Sequence, residues 1–339
     1  MAPTLHDVAR LAGVSIKTVS NVVNGHPHVR PSTRAAVERA VAELGYTPNL
    51  TARNLRSGRT GAIALAVPDL SLSYFAELAG MVIARAEERG VVVLVEQTGG
   101  ERDRERELLR SPRLGLTDGL ILSPLGLDAT DLAARPGAYP TVLLGERVFD
   151  AAIDHVTMRN IDAAQAATSH LLASGRRRIA VLGAHEDDGE GAAGLRLQGH
   201  RAALAAAGVA FDPALVVATR FWDRSGGADA VRDLLARGVD VDAVFGLNDT
   251  LALGAIRALQ EAGRRVPDDV AVVGFDDLDE ARYSIPSLTT IDPGRRWIAQ
   301  TAVDTLLGRV ADSAPGGPRV LAADFTLRVR ESAPGLPRR

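Results

Sequence analysis

TLHDVARLAGVSIKTVSNVVNG, residues 4–25, decides how the front of this 339-residue chain folds. Thr4 followed three residues on by Asp7 fits a capping box, in which each side chain satisfies a backbone N–H at the start of a helix. Leu5, Val8, Ala9 and Leu11/Ala12 then recur at helical spacing. Gly13-Val14-Ser15 breaks the run, and Ser15 suits the N-cap of a second helix from Ile16 to Asn24, stopped by Gly25. Val19, Val22 and Val23 share an apolar face, leaving Ile16, Lys17, Thr18, Ser20 and Asn21 largely outside. Two short helices joined by a glycine-containing turn form a helix-turn-helix, although an ordinary helical hairpin has the same spacing.

Working outward, Pro31-Ser32 opens a third helix with Val37, Ala40, Val41 and Leu44 inward and Gly45 at its end. After Pro48 comes a segment, Leu50 to Ser57, with little to bury, and a helix this short is marginal on its own. Charge separates this all-α head from the larger body behind it. Residues 1–60 hold eight basic and three acidic side chains, whereas the remainder holds 31 basic and 39 acidic. A basic head on an acidic body directs a polyanion to the head alone.

From Gly61 the pattern changes to short apolar strands alternating with amphipathic helices. Strands are predicted at Ala62–Val67, Val91–Glu96, Gly119–Leu122, Thr141–Leu144, His155–Met158, Arg178–Leu182, Val216–Ala218, Ala243–Phe245 and Val270–Gly274. Helices are predicted at Tyr74–Arg89, Ala163–Ala173, Leu195–Ala207, Ala228–Arg237 and Thr250–Ala262. Such alternation implies an α/β body of parallel sheets covered on both faces. The strand count suits two lobes, with ligands bound beyond the carboxyl ends of the strands in a cleft between them. The chain has no cysteine, which excludes disulfides and thiolate metal sites. No apolar run approaches the ~18–20 residues that span a bilayer. The first residues carry His6, Asp7 and Arg10 rather than a signal peptide's apolar stretch, so a cytoplasmic location is expected.

The motifs are specific enough to place the chain. The stretch from Thr4 together with VRPSTRAAVERAVAELGYTPNLTARNLRSGRTGAIALAVPDL (residues 29–70) resembles the head and hinge of the LacI/GalR family of transcription regulators. LTDGLILSP, HLLASGRRRIAVLG, RLQGHRAAL, AVFGLNDTLALGAIRAL, VAVVGFDDL, PSLTTI and LRVRES are similar to that family's periplasmic-binding-protein-like sensor domain. The resemblance implies a head at 1–58 with a hinge helix at about 49–57, and an effector-binding domain at 60–332. Its N-lobe would be about 60–160 and 293–322, and its C-lobe about 161–292 and 323–332. It further implies a homodimer on a roughly palindromic double-stranded operator, released or retained by a small molecule, most often a sugar acting as inducer.

Site residues follow by motif. Ile16, Lys17 and Asn21 occupy the base-reading positions, suited to a thymine methyl, guanine O6/N7 and adenine N6/N7 respectively. The family more often has arginine where Asn21 stands, so a family operator sequence does not transfer. Ser15, Thr18, Ser20, Asn24 and Thr33 would hold phosphates. Ala52 and Leu55 fall on the hinge that enters the minor groove, with Leu55 as the wedge. In the cleft, Arg196, Trp222, Asn248 and Asp276 resemble a sugar or polyol site, joined by Ser71, Tyr74, Phe75 and Arg147 on the N-lobe, with Glu146 beside them. Each has a plainer reading: Asp276 as a turn cap, Trp222 as core, Asn248 as an N-cap, Leu55 as packing.

Three rival signals weigh less. Gly189-Glu190-Gly191-Ala192-Ala193-Gly194 fits the GxGxxG fingerprint of NAD-dependent oxidoreductases, but His185-Glu186-Asp187-Asp188 separates it from the preceding strand. It reads as a mobile loop, and no cofactor, metal or catalytic motif is expected. ERDRERELLR, Glu101 to Arg110, reads as a solvated helix face. The body alone would suit a secreted solute-binding protein, which the attached head argues against. The closing SAPGLPRR has no heptad pattern and predicts no helical tetramerisation tail.

Overall fold

The computed structural model describes residues 3–23, 26–46, 59–134, 139–149, 151–185, 191–311 and 316–335. The chain divides into two compact units, 1–60 and 61–339.

The first unit holds α1 (Leu5–Ala12), α2 (Ile16–Val23) and α3 (Pro31–Leu44). The capping box is formed: Asp7 N–H donates to Thr4 Oγ1 at 3.4 Å while Asp7 Oδ2 accepts from Thr4 N–H at 3.0 Å. These bonds from Thr4, more than the Arg10 guanidinium, hold the Asp7 carboxyl below its usual range. Gly13 ends α1 at φ 65°, a left-handed conformation that favours glycine. Ser15 caps α2, its Oγ accepting from Thr18 N–H at 3.1 Å. Val8, Val19, Val22, Val37, Ala40 and Tyr46 form the small core of the head, and Ile16 packs against it half-buried rather than standing outside.

The second unit is built on two six-stranded sheets. The N-lobe sheet runs β11-β5-β4-β3-β1-β2, where β1 is Ala62–Val67, β2 Val92–Gln97, β3 Leu120–Leu122, β4 Thr141–Leu144, β5 Asp154–Met158 and β11 Val320–Ala323. All of its pairings are parallel. The C-lobe sheet runs β12-β10-β9-β8-β6-β7, where β6 is Ile179–Leu182, β7 Val216–Val217, β8 Ala243–Gly246, β9 Ala271–Phe275, β10 Thr289–Asp292 and β12 Thr326–Arg328. It is parallel except for the antiparallel edge pair β10–β12. Helices cover both sheets: α4 (Ser73–Glu88) and α5 (Arg102–Arg110), short α6 (Ala129–Ala133), α7 (Asn160–Ala173), α8 (Gly191–Ala206), α9 (Arg224–Ala236), α10 (Asp249–Glu261), short α11 (Asp279–Tyr283) and α12 (Arg295–Val310).

The predicted strands match to within a residue or two at each end. Three strands and several helices were not anticipated. β10 (Thr-Thr-Ile-Asp) and β12 (Thr-Leu-Arg) mix polar and apolar residues and so lack the apolar run that marks buried strands, whereas β11 (Val-Leu-Ala-Ala) is apolar but lies at a sheet edge, mostly exposed or half-buried. The chain passes between lobes three times: from β5 into α7, from β10 into α12, and from β11 into β12. α12 supplies Ile298, Ala299, Ala302, Val303 and Leu306 to the N-lobe core with α4, whereas α7 joins the C-lobe core.

Two readings are corrected. The charged run 101–110 is not simply a solvated face. Glu105 and Leu108 of α5 are buried, and the Glu105 carboxylate accepts from the N–H groups of Leu125 (2.9 Å), Gly126 (2.9 Å) and Leu127 (3.0 Å). A carboxylate bonded by three backbone donors tolerates burial that an unpaired one does not. The GxGxxG stretch is not wholly a loop either, because Gly191 to Gly194 form the first turn of α8. Glycine has a packing role further along the same helix. A Cβ on Gly199 would lie 2.2 Å from the carbonyl oxygen of Ile161 and 2.9 Å from Ala164 Cβ, so α7 and α8 approach as only glycine permits. Gly199→Ala is therefore expected to lower stability by about 1–3 kcal/mol, read as an earlier midpoint in urea unfolding; an unchanged midpoint would show that the helix pair has slack.

Candidate functional site: a cleft between two sheets

The carboxyl ends of strands from both sheets border one cavity of about 570 Å³. On the N-lobe side, Pro68 follows β1, Ser123 follows β3, Gly145-Glu146-Arg147 follow β4, and Thr157 and Met158 end β5. On the C-lobe side, Trp222 follows β7, Asn248 follows β8, Asp276 follows β9, and Arg196 comes from α8. Both lobes thus present their strand ends to the same space, where parallel sheets bind ligands.

Arg196 is almost fully buried. Its Nε donates to Asn160 Oδ1 at 2.8 Å, its Nη1 donates to the carbonyl of Leu247, and its Nη2 lies 4.0 Å from Asp276 Oδ1. The guanidinium stacks 3.6 Å from the ring centroid of Phe275, with the Trp222 ring 5.6 Å away. A planar cation with five donors satisfies these directions together, which a lysine ammonium would not. Asn160 opens α7 at the first crossover, so Arg196 joins the C-lobe strand ends to the point where the chain changes lobes.

Asp276 sits at φ 121°, a left-handed conformation uncommon for a residue with a Cβ, and this strain turns the residue where β9 ends. Burial pushes its carboxyl up to about 7, against the opposing pull of Arg196 and Arg295. Asp249 lies beneath it, fully buried, accepting from Thr290 Oγ1 at 2.5 Å and from Leu278 N–H at 2.8 Å. Burial, and then the charge of Asp276, raise the Asp249 carboxyl well above its usual range. Tyr74 faces the same acids: burial and the charges of Asp276 and Glu146 drive its phenol up, so it remains a hydrogen-bond donor. Phe75 meets the Tyr74 ring edge-on, with centroids 5.1 Å apart.

The remaining expected residues divide. Trp222 lines the cavity with its indole N–H donated to Gly183 O at 2.9 Å. Asn248 lines it too, but its amide is the N-cap of α10, accepting from Leu251 N–H at 2.8 Å and donating to Trp222 O at 3.0 Å. It therefore positions Trp222, leaving only part of its capacity for a ligand. Arg147 lines the cavity and is exposed. Ser71 is not among the lining residues; its N–H closes a turn on Asp69 Oδ1 at 2.8 Å, and Ser73, two residues on, lines the cavity instead. Sequence reasoning missed Ser123, which ends the quoted stretch LTDGLILSP but was not singled out, and Leu125, Met158, Arg220 and Phe221, which carry no motif of their own and are gathered by the sheet order.

It also missed a clasp beside the cleft. Ser73 Oγ donates to Glu280 Oε1 at 3.1 Å, and Glu77 accepts from Asp279 N–H at 3.1 Å. Arg295 pairs with Glu77 at 2.5 Å and donates to the carbonyl of Asp277. Helices α4 and α12 of the N-lobe are so tied to the turn after β9 in the C-lobe. In the head, Lys17 and Ser15 are exposed, while Thr18, Ser20, Asn21 and Thr33 are half-buried. Asn24, Ala52 and Leu55 lie outside the described residues. Among the described residues no group of acidic and histidine side chains is arranged to hold a metal ion, and no helix is long and apolar enough to cross a membrane.

Comparison with known proteins agrees with this architecture. Residues 4–49 match the model of bacterial regulatory proteins of the lacI family, and residues 168–333 match a periplasmic binding protein-like domain. The HTH-type transcriptional regulator CelR of Thermobifida fusca is 40% identical, covering 97% of this chain and 98% of its own length. The chain belongs to the lacI family. Among solved structures, this family member is similar to a complex of CelR with cellobiose (36% identity, TM-score 0.70, 97% of this chain and 99% of that one). It is also similar to the lac repressor dimer bound to operator and the anti-inducer ONPF (31% identity, TM-score 0.83, 99% of this chain and 100% of that one). The lacI-family chain is accordingly a DNA-binding transcriptional regulator with a helix-turn-helix head and a two-sheet sensor body. Its relatives are regulators rather than enzymes, which turns the GxGxxG stretch away from dinucleotide chemistry.

The elevated Asp276 carboxyl has a measurable consequence. Its folded-state value of about 7 exceeds the ordinary 3.8, so the stability it contributes is full at low pH and is lost as pH rises through 7. Asp276→Asn removes that loss. The stability of the Asn protein relative to the original should increase from pH 4 to about 7 and stay level above; a difference independent of pH would place the proton elsewhere.

Proposed function

We propose that the protein is a homodimeric repressor whose grip on a palindromic operator is relaxed when a neutral sugar occupies the cleft. The observation carrying this reading is the balance of the cavity wall. Asp69, Glu146 and Asp276 line it together with Arg147, Arg196 and Arg220, three of each sign, and with the aromatic residues Tyr74, Phe75, Phe221 and Trp222. Paired acids and guanidiniums both donate to and accept from hydroxyl groups, and aromatic faces pack on the C–H face of a sugar ring. Even with the Asp276 carboxyl raised to about 7, the wall has no large excess of either sign, which favours a neutral polyol over a phosphate or carboxylate. CelR, the relative solved with cellobiose, supports the same ligand class.

In this reading residues 1–58 grip DNA, 60–332 sense the effector, and the lobes divide at the three crossovers. Arg196, Trp222, Asp276, Tyr74, Phe75 and Arg147 contact the sugar, with Asn248 holding Trp222 in place. The cleft binds and turns nothing over, and the protein works in the cytoplasm, where the chromosome is. Sugar binding rotates one lobe against the other about the crossovers, and the sugar biases the response only by its preference for one arrangement. Lys17 and Asn21 read bases, Ile16 adds apolar contact, and Ser15, Thr18, Ser20, Asn24 and Thr33 hold phosphates. Ala52 and Leu55 enter the minor groove.

Footprinting on genomic fragments, repeated with a panel of neutral sugars, tests both halves. Protected palindromic sites should lose protection with one sugar class, and affinity should fall steeply with salt as counterions are released. Lys17→Ala should cost about 1–3 kcal/mol and relax discrimination at one base pair in each half-site. Leu55→Ala should reduce operator bending and affinity with the fold intact. No protected site at low salt would refute the DNA half; protected sites indifferent to every sugar would refute the effector half.

A further inference from the structure

Asp276 lines the cavity and is 3% exposed, yet among the described residues no N–H or O–H donates a hydrogen bond to its carboxyl. Buried acids elsewhere in the sensor body are provided for. Glu105 takes three N–H groups, Asp154 the Arg309 guanidinium, Asp277 the Arg330 guanidinium, and Asp249 a hydroxyl and an N–H. Arg196 and Arg295 draw on Asp276 but spend donors on Asn160, Glu77 and the carbonyls of Leu247 and Asp277, and Arg196 Nη2 stops 4.0 Å away. Acids face Asp276 from three elements: Glu77 on α4, Glu146 after β4 and Asp249 on α10, with the Tyr74 phenol beside them. Its own N–H donates to the carbonyl of Ile291 at 2.8 Å, so the backbone behind the carboxyl is fixed in its left-handed turn.

A carboxylate buried among like charges without a donor is costly, so the group holds its proton instead. That is the physical reason burial carries it up to about 7. A sugar in the cavity supplies what is lacking. Its hydroxyl groups donate to a carboxylate, and such bonds favour the charged form. We infer that the cleft takes up its sugar with release of one proton from Asp276, so that the effector response weakens as pH falls. The exchange balances: protonated protein and neutral sugar give the complex and one proton, which leaves to solvent. The sensor reads sugar and acidity together, and at low pH more sugar is needed to free the operator. This inference rests on the sugar reading of the cleft.

Calorimetric titration of the full-length protein with glucose, ribose, cellobiose and lactose, at about pH 6 and about pH 8, tests it. A sugar that binds should do so about tenfold more weakly at the lower pH, the factor for one proton held to about 7 in the free protein. At the lower pH its heat should differ between phosphate and imidazole buffers by close to one released proton per sugar, and at the higher pH by close to none. Glu146→Gln removes a like charge and should shrink the loss below tenfold. Asp276→Asn, whose side chain tolerates the same turn, should bind with heats independent of buffer and affinity independent of pH; if it binds too weakly to read, Glu146→Gln decides. Buffer-independent heats at the lower pH, an undiminished loss in Glu146→Gln, or proton release that persists in Asp276→Asn would overturn the linkage and leave the sugar reading standing. Binding of none of the four sugars at either pH would overturn the sugar reading and the linkage with it.

Discussion

A buried guanidinium must find partners for its donors or lose far more than it gains, and Arg196 finds them in places that define the sensor body. Its bonds to Asn160 and to the carbonyl of Leu247, its stacking on Phe275 and its closeness to Asp276 bring together the first crossover and the ends of β8 and β9. Removing any of these partners would leave a charge in a poorly solvating environment. The cation therefore holds the C-lobe half of the cleft in one arrangement before any ligand arrives. Arg295 does the corresponding work between lobes, linking α12 and Glu77 on one side to the turn at Asp277 on the other. Two guanidiniums thus fix the wall and the seam.

Much of this was legible in the sequence because local signals and tertiary demands coincide. The capping box at Thr4 and Asp7, the glycine at 13 and the Ser15 cap are local chemistry, and the folded head forms them as read. The central strands of both sheets are continuous apolar runs because both of their faces are buried, so their limits could be read closely. Strands β10 and β12 have no such run.

The candidate site was legible where a polar residue closes a strand motif, as with Asn248 and Asp276. It was not legible where sheet order alone brings residues together, as with Leu125, Phe221 and Met158. Glu105 illustrates the limit most clearly. Within ERDRERELLR it looks like its neighbours, and only the path of a loop twenty residues later makes it a buried acceptor of three hydrogen bonds.

The three crossovers also order the birth of the molecule. The head closes its core within its first sixty residues, so it can fold as soon as it leaves the ribosome. Neither lobe has that freedom. The N-lobe sheet waits for α12 to cover Ile63, Leu65 and Val67, and for β11 to pair with β5; the C-lobe sheet waits for β12. Both halves of the sensor therefore stay unfinished until the residues of β11 and β12 have been made, and a chain cut short before residue 320 loses an edge strand from each sheet at once. A truncated chain would have a folded head with no working sensor behind it.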